Sequence, residues 1–179
     1  MERVHKVWRE YTRCGESTQG GRVLREPVPS GVRPTGERMR EAFFSMVGQD
    51  LEGVRFLDLC AGSGIMGLEA WSRGAVVTAV EQRRAVLHGI ARRAEELGAE
   101  LTLKVGTERR LPAGPFDLAF CDPPYRLDPE PFLSALSAVA TEVWMEVDGR
   151  RSPPTEVGEL KLVQERRYGD SSLWHFSRG

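Results

Sequence analysis

The stretch FDLAFCDPPYR, Phe116 to Arg126, puts an acid, two prolines and an aromatic ring at the end of a strand-like apolar run. Proline lacks the N–H that a sheet ladder needs, so the run must stop there. Beside plain strand termination, Asp122-Pro123-Pro124-Tyr125 has a chemical reading. The exocyclic amine of a nucleobase delocalises its lone pair into the ring and is a poor nucleophile. Acceptors on its N–H groups would draw it towards tetrahedral geometry and free the lone pair. The Asp122 carboxylate and the Pro123 carbonyl can be those acceptors, held still by the two prolines, while Tyr125 can stack on the base. A base must leave its helix or loop to enter such a pocket.

A second group lies upstream. In FLDLCAGSGIMGLEA, Gly62, Gly64 and Gly67 spell GxGxxG between a strand and a helix. That placement marks a nucleotide-binding turn, where small residues let the backbone approach a ligand and the helix pack on the sheet. Glu81 follows Gly62 by 19 residues, at the end of the next strand, where a carboxylate can accept hydrogen bonds from ribose hydroxyls. The pattern fits two cofactors, NAD and S-adenosylmethionine. Asp58, four residues before Gly62, separates them. A helix N-terminus favours a pyrophosphate, and a carboxylate beside it would repel that anion. S-adenosylmethionine has no phosphate but a cationic ammonium and sulfonium, which an acid suits.

These residues need elements to position them. From Val54 onward, short apolar strands alternate with helices: VRFLDL, GIMGLEAWSRG, AVVTAVE, QRRAVLHGIARRAEELG, ELTLKV, FDLAFC, PEPFLSALSAVA and TEVWMEVD. The alternation predicts an α/β fold with a mostly parallel sheet covered by helices on both faces. ELKLVQERRYGDSSLWHFS predicts two strands around Tyr168-Gly169-Asp170, an antiparallel hairpin at the edge. In such a fold ligands bind at the carboxyl ends of the strands, so Asp58, Glu81 and Asp122 should face one cleft. Before the core, RPTGERMREAFFSMVG predicts a helix capped by Thr35 and ended by Gly48, with Met39, Phe43, Met46 and Val47 on its apolar face.

Bulk properties narrow the classes. A 179-residue chain with 40% hydrophobic residues can bury a real core. No apolar run approaches a membrane span, and the charged N-terminus is no secretory signal. Cys14, Cys60 and Cys121 form no CxxC, so neither a disulfide framework nor a zinc site is expected, and a reducing cytoplasm fits best. Net charge is −1, yet residues 1–40 carry nine Lys/Arg against five Glu, leaving sixteen against twenty-one in the rest. A basic arm on an acidic body suits a polyanionic partner or a solvated tail equally well.

DLCAGSGIMGLEA together with DPPY resembles the amino-methyltransferases, class I S-adenosyl-L-methionine-dependent enzymes that modify exocyclic amines. RPTGERMREAFFSMV and RRYGDSSLWHF narrow the resemblance to the bacterial family that methylates guanine N2 in 16S (small-subunit) ribosomal RNA, in order from about Gly21 to Phe176. The resemblance implies a Rossmann-like class I methyltransferase with a seven-stranded sheet and an antiparallel C-terminal hairpin. Residues 1–50 would be a basic arm and helix for RNA docking, and residues 51–179 the catalytic domain. Asp122, Pro123, Pro124 and Tyr125 would form the catalytic loop. Asp58, Ala61, Gly62, Gly64 and Glu81 would hold S-adenosyl-L-methionine, with Thr107 or Glu108 near its adenine. Arg22, Arg33, Arg38 and Arg126 would meet RNA. The partner would be ribosomal RNA or the small subunit, with no metal, no membrane and a monomeric chain. The Gly-Gly arm typical of such proteins is blurred here, retaining Gly21-Arg22.

Plainer readings stand beside these. Cys121 is expected in the core, Cys60 in the loop, and His5, His88 and His175 at the surface or in packing. Trp71, Trp144 and Trp174 are expected in or near the core. Arg83, Arg84, Arg92 and Arg93 read as one solvated helix face, and Glu146 as an acid neutralising a nearby arginine. Three other functions remain open from sequence: an adenine-N6 methyltransferase on DNA or RNA, an NAD-binding oxidoreductase, and a non-catalytic RNA-binding scaffold.

Overall fold

The computed structural model describes residues 36–179. Helix α1 (Glu37–Val47) precedes β1 (Arg55–Leu59), α2 (Ile65–Ser72), β2 (Val76–Glu81), α3 (Arg84–Leu97), β3 (Leu101–Val105), β4 (Phe116–Cys121), α4 (Glu130–Ser137) and β5 (Ala140–Asp148). Then come β6 (Glu156–Val157), β7 (Leu160–Tyr168) and β8 (Ser171–Arg178). The strands form one sheet in the order β3-β2-β1-β4-β5-β8-β7-β6.

Strands β1 to β5 are mutually parallel, as the alternation predicted. β8 inserts antiparallel between β5 and β7. The hairpin closes on the two residues Gly169-Asp170, with Gly169 at φ 60°, a conformation that side chains disfavour. The sheet has eight strands rather than the seven expected. The extra one is β6, which pairs two residues antiparallel to β7, too short to leave a period in the sequence.

Strand side chains alternate between faces. Leu57, Leu59, Cys121 and Met145 join α4 residues Leu133 and Leu136 in one core layer, with Trp174 and Phe176 of β8. Phe56, Phe120 and Trp144 point the other way and meet α1 and α2. Phe43 of α1 packs edge-on against Phe120 (5.1 Å) and Trp144 (5.6 Å). Met39 and Phe43 are buried as the spacing predicted. Phe44 is buried too, beneath the Arg73 guanidinium at 4.4 Å from its ring.

Ion pairs lock α1 down as well. Glu69 of α2, 4% exposed, meets Arg40 (2.7 Å) and Arg73 (2.6 Å). Arg73 also donates to Gln49. Burial pushes the Glu69 carboxyl up, against the pull of both arginines. The helix starts at Gly36 with no side-chain cap; Thr35, the expected cap, lies outside the described residues. Gly48 ends it at φ 103°, as expected.

Candidate active site

The strand order reverses around β1, which has β2 on one side and β4 on the other. At such a switch point the loops leave in opposite directions and open a crevice at the carboxyl ends. Register fixes what meets there. Leu59 lies opposite both Val80 and Cys121, and Cys121 lies opposite Met145. The next residue on each strand is therefore Glu81, Cys60, Asp122 and Glu146, in one row.

The glycine loop is built by a few bonds. Cys60 turns the chain out of β1 at φ 64°, a left-handed conformation that costs a side chain about 1–3 kcal/mol. The Ala61 N–H then donates to the Val80 carbonyl (3.1 Å) and the Gly62 N–H to Glu81 Oε2 (3.2 Å). Gly64 sits at φ 76°, and a Cβ there would come within 2.8 Å of Ile90. Gly67 allows a different approach: its N–H donates to Asp58 Oδ2 at 2.9 Å, where a Cβ would crowd the same oxygen. Asp58 is 2% exposed, and burial pushes its carboxyl up to about 7, with the Gly67 N–H pulling down and Glu81 pushing further up.

The other expected residues fall around this loop. Glu81 is buried, and its Oε1 accepts the Arg83 N–H (2.9 Å). Thr107 and Glu108 are half-buried in the loop after β3, which the Gly106 N–H ties to the Glu81 carbonyl (3.2 Å). Asp122 is half-buried at the end of β4, Pro123 is buried and Pro124 exposed. The Leu127 N–H donates to the Pro124 carbonyl (2.8 Å), closing a turn around Tyr125 and Arg126 directly after the two prolines. Arg126 and Arg38 are exposed; Arg22 and Arg33 lie outside the described residues.

Tyr125 is half-buried, and its hydroxyl bonds Glu146 Oε1 (3.1 Å) and Ser171 Oγ (2.5 Å). Two sequence readings are corrected. Glu146 forms no ion pair with an arginine among the described residues but accepts from those hydroxyls, Ser171 at 2.9 Å. Arg93 does not lie on a wholly solvated face, since its guanidinium reaches across to donate to the Ser63 carbonyl and pins the glycine loop. Ser171, Arg93 and Arg151 were missed as site residues. Ser171 stands 46 positions from Tyr125 and Arg93 30 from Ser63, so no local pattern joins them. Cys121 is buried and in contact with Cys60; burial and that neighbour push its thiol well up, which suits a core residue.

The chain matches the family profile described as Conserved hypothetical protein 95 over residues 15–177. The chain belongs to this family. It is 30% identical to the Bacillus subtilis protein named "Putative rRNA methyltransferase YlbH" over 170 residues, 83% of this chain and 89% of that protein. It is 35% identical to "Ribosomal RNA small subunit methyltransferase D" of Escherichia coli over 117 residues, 59% of this chain and 56% of that protein. The solved structure of "Putative methyltransferase yhhF" from Escherichia coli superposes with a TM-score of 0.71 at 28% identity, covering 85% of this chain and 90% of that one. The family resemblance read from the sequence is thereby borne out, and the fold is that of class I, S-adenosyl-L-methionine-dependent methyltransferases.

The residues present fit that cofactor. Among the described residues Asp58 has no cationic partner, and Glu81 stands close enough to raise its pKa. Two buried acids beside a glycine loop would repel a pyrophosphate and attract an ammonium or sulfonium. This disfavours an NAD-binding oxidoreductase.

Proposed function

We propose that the chain transfers a methyl group from S-adenosyl-L-methionine to the exocyclic N2 amine of a guanine in 16S ribosomal RNA. The observation that carries the reading is the Asp122–Tyr125 loop at the end of β4, next to the glycine loop at the end of the neighbouring β1. Asp58, Ala61, Gly62, Gly64 and Glu81 hold the cofactor, with Thr107 or Glu108 towards its adenine. When bound, the cofactor supplies an electrophilic methyl group on a sulfonium.

The chain's own residues do the rest by positioning and electrostatics. The Asp122 carboxylate and Pro123 carbonyl accept hydrogen bonds from the two N–H groups of the amine, which raises its nucleophilicity and aims the lone pair. The same acceptors would stabilise the positive charge that develops on nitrogen as the new N–C bond forms and the methyl–sulfur bond breaks, the leaving group being the neutral thioether. The departing amine proton passes to Asp122 or to solvent.

The ribosomal substrate is supported by the names of the relatives, and guanine by the family resemblance drawn from the sequence. Residues 1–50, with Arg22, Arg33 and Arg38, are the proposed RNA-docking arm, joined by Arg126 at the loop. The proposed setting is the cytoplasm, and the proposed acting species a monomer. The test is methyl transfer from labelled S-adenosyl-L-methionine to unmodified small subunits and to protein-free rRNA, followed by nucleoside mass spectrometry. N2-methylguanosine is expected. N6-methyladenosine would keep the loop chemistry and replace the base. Donor binding without transfer to either substrate would point to a scaffold.

A further inference from the structure

We propose that Glu146 is a positioning residue for methyl transfer: with Ser171 it fixes the Tyr125 ring and, through it, the Asp122–Tyr125 loop. The inference rests on reading that loop as the seat of methyl transfer. Glu146 is 2% exposed on β5. It occupies the strand position beside Asp122, because Cys121 pairs with Met145 in a parallel register, which sets the neighbouring backbones ~4.8 Å apart. Its Oε1 lies within hydrogen-bond reach of the Tyr125 (3.1 Å) and Ser171 (2.9 Å) hydroxyls, which lie 2.5 Å from each other, so their two hydrogens serve two of the three contacts at a time. Three oxygens from β5, the loop and the start of β8 thus close a triangle.

The arrangement is poor as a device for stability alone. Glu146 Oε2 is buried with no hydrogen-bond partner among the described residues. Such an atom costs about 1–3 kcal/mol, and a well-packed apolar side chain avoids that cost. What the carboxylate provides is a doubly used acceptor on a rigid strand, which defines one orientation of Tyr125. The other end of the residue is held too: Arg151 Nη2 donates to the Leu127 carbonyl (2.9 Å) and, more weakly, to that of Tyr125 (3.4 Å). The loop that must hold an amine to within a fraction of an ångström is therefore braced at the ring tip and along the backbone.

The test compares Glu146→Ala, Glu146→Gln, Tyr125→Phe and Asp122→Ala in full-length protein, reading kcat, KM for RNA and donor affinity by calorimetry. Misplacing a reacting group by about 1 Å costs on the order of 10²-fold. Glu146→Ala should thus lower kcat by about 10- to 100-fold, with donor affinity within about threefold of wild type. Glu146→Gln should recover most of the rate, because its amide oxygen still accepts from either hydroxyl. Adding Tyr125→Phe to Glu146→Ala should cost little more, since both remove one interaction. Should Glu146→Ala not fold, Ser171→Ala removes one corner of the triangle, with an expected kcat loss of about threefold or more. Wild-type kcat in Glu146→Ala, or in Ser171→Ala where that stands in, with Asp122→Ala inactive, overturns the proposal and leaves the loop reading intact. Glu146→Gln as slow as Glu146→Ala also overturns it, and shows that the negative charge or a direct base contact matters. Wild-type kcat in Asp122→Ala removes the loop reading and this proposal together.

Discussion

Asp58→Asn isolates the electrostatic choice made beneath the glycine loop. In the folded chain burial raises the Asp58 carboxyl to about 7, against an ordinary value of ~3.9. The folded state therefore keeps a proton that the unfolded chain releases as pH rises. The stability linked to that proton is fully present below pH ~4 and is lost as pH rises through about 7. Fully expressed, a difference of this size corresponds to about 4 kcal/mol. Asparagine is neutral at every pH, and its side-chain oxygen can still accept the Gly67 N–H. Without donor, the variant should match wild type only below pH ~4, already exceed it by about 1–2 kcal/mol near pH 5, and exceed it by about 2–4 kcal/mol at pH 8. That is roughly 5–15 °C in Tm for a chain of this size. With donor the order should invert. A cation beside Asp58 favours the carboxylate, so donor-induced stabilisation of wild type should grow between pH 5.5 and 7.5. In the variant it should be small and flat. Thermal melts with and without S-adenosyl-L-methionine across this range read both effects. A variant whose free-protein Tm keeps the wild-type pH slope, or that gains as much from donor as wild type, would refute the reasoning.

Gly64→Ala must adopt the left-handed φ of 76° and press on Ile90; it should lose about 2–4 kcal/mol by denaturant titration, and Ile90→Ala should be less than additive with it. Glu69→Ala leaves Arg73 buried without its acid and frees α1, so a loss of about 3–5 kcal/mol is expected on the same titration. Asp117→Ala breaks a 2.6 Å pair with Arg55 that holds the Asp117 carboxyl down at about 2. Both side chains are more than two-fifths exposed, so the change should be within about 1 kcal/mol and shrink with salt. Charge reversal at the exposed Arg38 should weaken RNA binding and flatten its dependence on salt in a filter-binding series; an unchanged slope would count against RNA contact there.

The sequence by itself determined the elements and their polarity. The apolar strands, their alternation with helices, and the punctuation at Gly48, Gly98 and Pro123 are local, written in residues whose φ or missing N–H restricts the chain. A parallel α/β sheet then has a defined end for ligands, so Asp58, Glu81 and Asp122 could be assigned to one cleft before any coordinate. Only the tertiary structure decided which groups each acid meets. Asp58 turned out to be buried against Gly67, nine residues on, because the loop curls under itself at Cys60. Arg93 left its solvated face for Ser63, and Tyr125 closed on Glu146 and Ser171 across β5 and β8. Those partners lie 21 to 46 residues apart in the chain. Hydrogen bonding and desolvation act over a few ångströms in space, and sheet register, which no local pattern encodes, sets which side chains come that close.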